Sequence, residues 1–184
     1  MALTLIKEDG TGRTDANSYA SVAEGDAYFE GHVYPAAWTG ATADKKAAAL
    51  VMATRLIDSQ FQFCGYRAHS EQALQWPRAE CPDPDRGLVT VSALQPILSD
   101  FVPYDSVPKA VVQATCEVAR TLLVEDRTAN PVGEGLKFSA LSSLQQSFDK
   151  NDTRPVISRV AQVMLGKFGT LLSRKGGVVR LERV

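Results

Sequence analysis

The sequence predicts a mainly α protein: a small bundle of about four helices with a β-hairpin arm and an extended basic C-terminal tail. Three observations carry that expectation. Apolar residues recur at helical spacing through two long segments, 42–60 and 108–125. A period of two replaces that pattern between 136 and 148. From Arg154 to the last residue, seven cations (Arg154, Arg159, Lys167, Arg174, Lys175, Arg180, Arg183) stand against one anion, Glu182.

Residues 1–20 read as an extended polar lead-in, in which Gly10 and Gly12 oppose a helix. Ser21 with Glu24 three residues on is a capping box and announces the first helix. Val22, Asp26, Phe29 and Val33 trace it to an end near Tyr34, ahead of Pro35. Gly25 inside it costs about 1 kcal/mol against alanine. Thr42 caps a second helix reaching about Gln60, with Leu50, Thr54, Ile57 and Phe61 as its apolar stripe and Ala49, Met52 and Leu56 widening it. Residues 62–106 are rich in proline and loop-like, with room for a short helix near 91–98. Pro108 then opens a third helix as a first-turn proline. Val111, Thr115, Val118 and Leu122 form its apolar face, and Lys109, Gln113, Glu117 and Arg120 its solvated edge.

In 133–150, Leu136, Phe138 and Ala140 alternate with polar residues. A hairpin turning near Ser142–Ser143 is favoured over a helix through Leu141, Leu144 and Phe148. Pro155 opens a last helix with Ile157, Val160, Met164 and Phe168 on one face. Gly166, Gly169 and the Gly176–Gly177 pair loosen it into a strand-like ending, "VVRLERV". A single domain spans 1–184: lead-in 1–20, helical core 21–128 with a loop insertion at 79–106, hairpin arm 133–150, and helix with tail 155–184.

The chain's 184 residues, 45% apolar and 22% charged, suffice for a core. The net charge of −1 and pI near 6.1 exclude a strongly basic nucleic-acid binder at the level of the whole chain. The basic tail on an acidic body suits contact with an acidic partner surface. Cys64, Cys81 and Cys116 are odd in number with no C-x-x-C spacing, so neither zinc nor a disulfide framework is expected. Cys116 reads as a small buried hydrophobe. "MALTLIKEDG" is too short an apolar run for a signal peptide or anchor, so no membrane association is expected.

Catalytic chemistry finds little support. His32 beside aromatics and His69 in a polar loop read as structural histidines, and Ser70 beside His69 is only sequence adjacency. Asp83 and Asp85 lack the further ligands of a calcium loop. "GTG" and "GEG" lack the context of phosphate loops. No enzyme activity, metal or cofactor is expected. Trp76 with Arg78, Tyr66 with Arg67, and the tail could form a stacking, basic surface for single strands. With 8% aromatics and little net charge, the preferred reading puts Trp76 in the core and Arg78 on a nearby acid.

"DANSYASVAEGDAYFEGH" (15–32), Trp38, "ALVMATRLIDSQF" (49–61), "GYR" (65–67), "LQWPR" (74–78), "VPKAVVQATCEVA" (107–119) and the closing "RLERV" occur in a familiar order. Together they resemble the tailed-phage head-to-tail adaptor, or head-completion, proteins, some of which carry a DnaT-like single-stranded-DNA-binding label. The resemblance singles out Asn17, Tyr19, Trp38, Trp76, Pro77 and Arg78 as motif residues. It implies a virion structural protein of the neck, made in the host cytoplasm. There it would form a dodecameric ring beneath the portal and dock a stopper or tail-completion protein, with non-specific contact to channel DNA. Arg174, Lys175, Arg180 and Arg183 are then the expected portal or neighbour contacts. The alternative is a single-stranded-DNA-binding replication accessory protein. Two features depart from the pattern: Gly25 stands where alanine is usual, and 28 residues separate Arg78 from Val107. Within "LQWPR", Pro77 reads as a helix stop, Trp76 as an anchor, and Arg78 as a clasp to a helix end or a neighbouring subunit.

Overall fold

Segments with strong apolar periodicity form the long helices. The computed structural model describes residues 3–85, 101–129, 138–141, 144–147 and 155–172. The helices are α1 (Val22–Glu30), α2 (Ala36–Thr39), α3 (Ala43–Gln60), α4 (Lys109–Val124) and α5 (Arg159–Leu165). Three antiparallel two-stranded ribbons accompany them. β1 (Phe61–Phe63) pairs with β6 (Gly169–Leu171), β2 (Tyr66–Arg67) with β3 (Arg78–Ala79), and β4 (Phe138–Leu141) with β5 (Leu144–Ser147). The expected mainly helical bundle with a hairpin is the observed architecture. No described helix is long and apolar enough to cross a membrane.

Helix α3 follows its sequence signals closely. Thr42 Oγ1 accepts from Lys45 N, and Leu50, Thr54, Ile57 and Phe61 are all buried. Met52, expected to widen the stripe, is exposed. It sits on the far side of the helix from that stripe. α3 and α4 pack along each other, and α5 closes over α4. Around this seam one cluster of buried side chains runs from Tyr19 and Phe29 through Trp38, Trp76 and Val118 to Leu165 and Phe168.

Several expectations are corrected. Residues 3–20 are not an extended lead-in. The Glu8 carboxylate is fully buried and accepts the backbone N–H groups of Gly10, Gly12 and Arg13 at 2.9–3.0 Å, folding the segment into a tight loop. Gly10 has φ +102° there, and a Cβ on it would lie 2.0 Å from the Asp105 carbonyl oxygen. The Ser21–Glu24 capping box forms as expected, but α1 ends at Glu30, short of Tyr34, with Gly31 as its C-cap. Pro108 is the N-cap of α4 rather than its first helical residue. Glu117, assigned to the solvated edge of α4, is buried.

The last helix is opened by Ser158, whose Oγ accepts from Ala161 N, and not by Pro155. Its buried face is Ala161 and Leu165, flanked by Ile157 and Phe168, which leaves Val160 exposed. The chain beyond it forms β6, which the glycines alone did not announce. The expected hairpin forms, with Leu141 of β4 opposite Leu144 of β5. The base of the loop insertion is closed, because Val102 N donates to Cys81 O at 2.9 Å and Pro82 bridges to Phe101. The helix expected at 91–98 and the ending "VVRLERV" lie outside the described residues.

Candidate functional site

The "LQWPR" segment does not follow a helix. It is a loop that crosses the end of α3, and two polar side chains hold it there. Tyr19, fully buried just before α1, donates its hydroxyl proton to Asp58 Oδ1 in the last turn of α3. The same hydroxyl oxygen accepts from the backbone N–H groups of Gln75 (3.1 Å) and Trp76 (3.2 Å), and Asp58 Oδ2 accepts from Gln75 N at 3.1 Å. Desolvation raises the Asp58 carboxyl from 3.8 to about 6, even though Tyr19, Gln75 and nearby Arg78 all favour its charged form. Burial, with the Asp58 charge beside it, drives the Tyr19 phenol well above its ordinary range.

Trp76 is 0% exposed. Its ring meets Phe63 and Phe168 edge-on, at 5.7 and 5.8 Å between centroids. The Trp76–Pro77 peptide is cis, and the Pro77 carbonyl accepts from Ala68 N and Gln72 Nε2. Pro77 is therefore no helix stop, since bends precede it rather than a helix. Arg78 is a clasp, but within the chain and onto loop carbonyls. Its guanidinium donates to Cys64 O (2.7 Å), Gly65 O (2.6 Å), Phe63 O (3.4 Å), Gln75 O (3.1 Å) and Gln75 Oε1 (3.1 Å). Among the described residues it neither pairs with an acid nor caps a helix, and burial lowers its pKa. These partners take up its fork of donors. Neither Trp76 nor Arg78 offers a face to a stacked base.

Asn17 and Trp38 are likewise structural. Asn17 Oδ1 accepts from Ile6 N, and its amide donates to Thr4 O, closing the N-terminal loop. Trp38, fully buried on α2, donates its indole N–H to Asp26 Oδ1 at 2.7 Å and lies 5.1 Å from Phe29. Lys46 from α3 sits 5.3 Å over the Trp38 ring and pairs with Asp26 at 2.7 Å, which holds that carboxyl below its usual range.

Sequence reasoning missed Glu8, Asp58 and Glu117. Asp58 stood in the "LIDSQF" block, and an acid one residue after the buried Ile57 was the available signal. Glu117 accepts from Tyr28 Oη (3.0 Å) and Arg120 Nη2 (2.9 Å) and lies 3.3 Å from His32 Nε2. Burial, then the Glu117 charge, pushes the Tyr28 phenol up to about 12. His32 thus ties the end of α1 to α4, and His69 lies against the Gly12 turn. Asp85 lies 3.4 Å from Lys167. Among the described residues no group of three or more His, Cys, Asp or Glu is placed to hold a metal ion.

Surfaces open to a partner lie elsewhere. Tyr66 is 55% exposed on β2 with Arg67 exposed beside it, and its hydroxyl reaches Glu80 only at 3.4 Å. Val160 and Val163 on α5 and Leu172 after β6 leave apolar surface uncovered. A cleft of about 690 Å³ opens between the N-terminal loop, α1 and the start of α4, with Lys7, Glu24, Tyr28, Asp105 and Lys109 among its lining residues. The described residues carry sixteen acidic and twelve basic side chains, a net of −4. Arg174, Lys175, Arg180 and Arg183 lie outside the described residues.

No curated protein and no solved structure matches the chain. The pattern of the family described as "Putative DnaT-like ssDNA binding protein" matches residues 3–184. The match takes in the Asn17–Tyr19 turn, the Asp58 helix end and the Trp76–Arg78 clasp alike, and the chain belongs to that family.

Proposed function

We propose that this protein binds single-stranded DNA as a non-enzymatic accessory of DNA replication. The observation that carries this reading is the family match along nearly the whole chain. The buried "LQWPR" segment cannot be the contact. Exposed Tyr66 on the β2–β3 ribbon supplies a ring face, and exposed Arg67, next in the chain, supplies a cation. The described body has a net charge of −4, so attraction to phosphates comes chiefly from the cations of the C-terminal sequence.

Binding is measured with a labelled oligonucleotide over a range of salt concentrations. Affinity should fall steeply with salt, and Tyr66→Ala should weaken it about fivefold to 150-fold, the worth of one stacked base. Absence of binding at low salt, or affinity indifferent to Tyr66→Ala and to the loss of residues 174–184, would sink the proposal.

A second reading, a head-to-tail adaptor in a dodecameric ring beneath a portal, draws on a different observation. Val160, Val163 and Leu172 expose apolar surface, which suits a protein interface better than DNA. The ordered motif blocks and the basic C-terminal sequence support it too. Recovery of the protein at the portal vertex of purified particles, without oligonucleotide affinity, would favour this reading over the first.

A further inference from the structure

Two of the three cysteines, Cys64 and Cys81, lie next to the Arg78 clasp. In the β2–β3 ribbon Tyr66 stands opposite Ala79 and Arg67 opposite Arg78, and Ala68 N continues the same register to Pro77 O. Carried two residues the other way, that register sets Gly65 across from Glu80 and Cys64 across from Cys81. Gly65 (φ +68°) and Glu80 (φ +55°) are both left-handed, so the regular ladder stops at Tyr66, yet the two chains stay in touch. A Cβ on Gly65 would lie 2.1 Å from Ala79 O and 2.9 Å from Cys81 N. Arg78 pins the same corner, with its Nε 2.7 Å from Cys64 O. A disulfide bridges Cα atoms about 4.4–6.8 Å apart, and the two cysteines are near neighbours: the residue after Cys64 packs against the Cys81 backbone, and the Cys64 charge acts on the Cys81 thiol.

We infer that Cys64 and Cys81 are an oxidisable pair that closes a reversible cross-strand disulfide over the Arg78 clasp. Cys64 is exposed and Cys81 fully buried, so the roles are unequal. With a small-molecule disulfide such as oxidised glutathione, the Cys64 thiolate attacks one sulfur and releases one glutathione thiolate. Cys81 then gives up its proton and attacks the Cys64 sulfur of the mixed disulfide, releasing the second. Two protein thiols are oxidised and one glutathione disulfide is reduced to two thiols, so electrons balance. Burial, with the Cys64 charge next, pushes the Cys81 thiol up to about 11, which makes the second step slow and base-dependent. Cys116 takes no part, because it is buried on α4 beside Glu24 and Glu117. The inference is independent of DNA binding.

The test uses the folded full-length protein with oxidised glutathione, followed by acid quench, alkylation and peptide mapping. The expected product is a peptide pair joining Cys64 to Cys81, a mass loss of two hydrogens, and a free-thiol titre falling from three to one. Closure should accelerate about tenfold per pH unit below the Cys81 pKa. Cys64→Ser, an exposed position, should abolish the linked pair while the protein keeps its fold. A stable glutathione adduct on Cys64 with Cys81 still free would overturn the inference. So would Cys64 bridged to a second copy, or unreacted thiols in the folded protein.

Discussion

Gly25 and Trp38 occupy the same volume from opposite sides. A Cβ on Gly25 would lie 2.4 Å from Trp38 Cζ2, and that ring is itself held by Phe29, Asp26 and Lys46. Propensity alone makes glycine in α1 a defect; packing makes it the residue that admits the indole. Gly25→Ala should therefore destabilise the protein, by about 1–3 kcal/mol as an overpacked core does. Chemical denaturation checks this, and an unchanged or raised midpoint would refute the close approach. Trp76→Ala should cost about 3–5 kcal/mol. Trp76→Phe should cost less, because the indole N–H makes no hydrogen bond among the described residues. Oligonucleotide affinity of the folded fraction should be unchanged in either variant. Trp76 was legible in the sequence as an anchor by its size and its proline neighbour. The partners of Arg78 were not, since a guanidinium is as well satisfied by carbonyls as by an acid.

At the scale of elements, the C-terminal turn of α3 is joined to the 72–78 loop by Asp58 and Tyr19. A carboxyl at about 6 in the folded chain, against 3.8 unpaired, binds a proton that the unfolded chain releases. Its contribution to stability is full below about pH 4, falls as pH rises through 6, and is flat above. The span is up to about 3 kcal/mol. Thermal unfolding of the parent and of Asp58→Asn between pH 4 and 7 checks the sign, with the variant expected to vary less over that window. Depressed carboxyls such as Asp26, lowered by Lys46 and Trp38, act oppositely and below that range. Local signals fixed α3 and the start of α1, where caps and a long apolar stripe agree. They failed at α5, whose seven residues are too few for periodicity to choose between Val160 and Ala161 as the buried position.

Across the described residues, the side chains that hold the fold differ from those left exposed on the surface. Tyr19, Trp38, Trp76 and Arg78 lie inside, holding loops to helices, while Tyr66, Val160 and Val163 are exposed. Removal of residues 174–184 should leave the melting temperature nearly unchanged and flatten the salt dependence of oligonucleotide binding. A truncated protein that fails to fold, or binds with the parent's salt slope, would contradict that separation. The amino-acid sequence by itself determined the helical class, the Ser21 and Thr42 caps, the presence of the hairpin and the identity of the anchoring aromatics, because those follow from spacing and side-chain chemistry within a few residues. Only the tertiary structure decided that Glu8, Asp58 and Glu117 lie inside, that Gly25 makes room for Trp38, and that Arg78 grips carbonyls. Each depends on groups brought together from distant parts of the chain, and no local pattern encodes which groups those are.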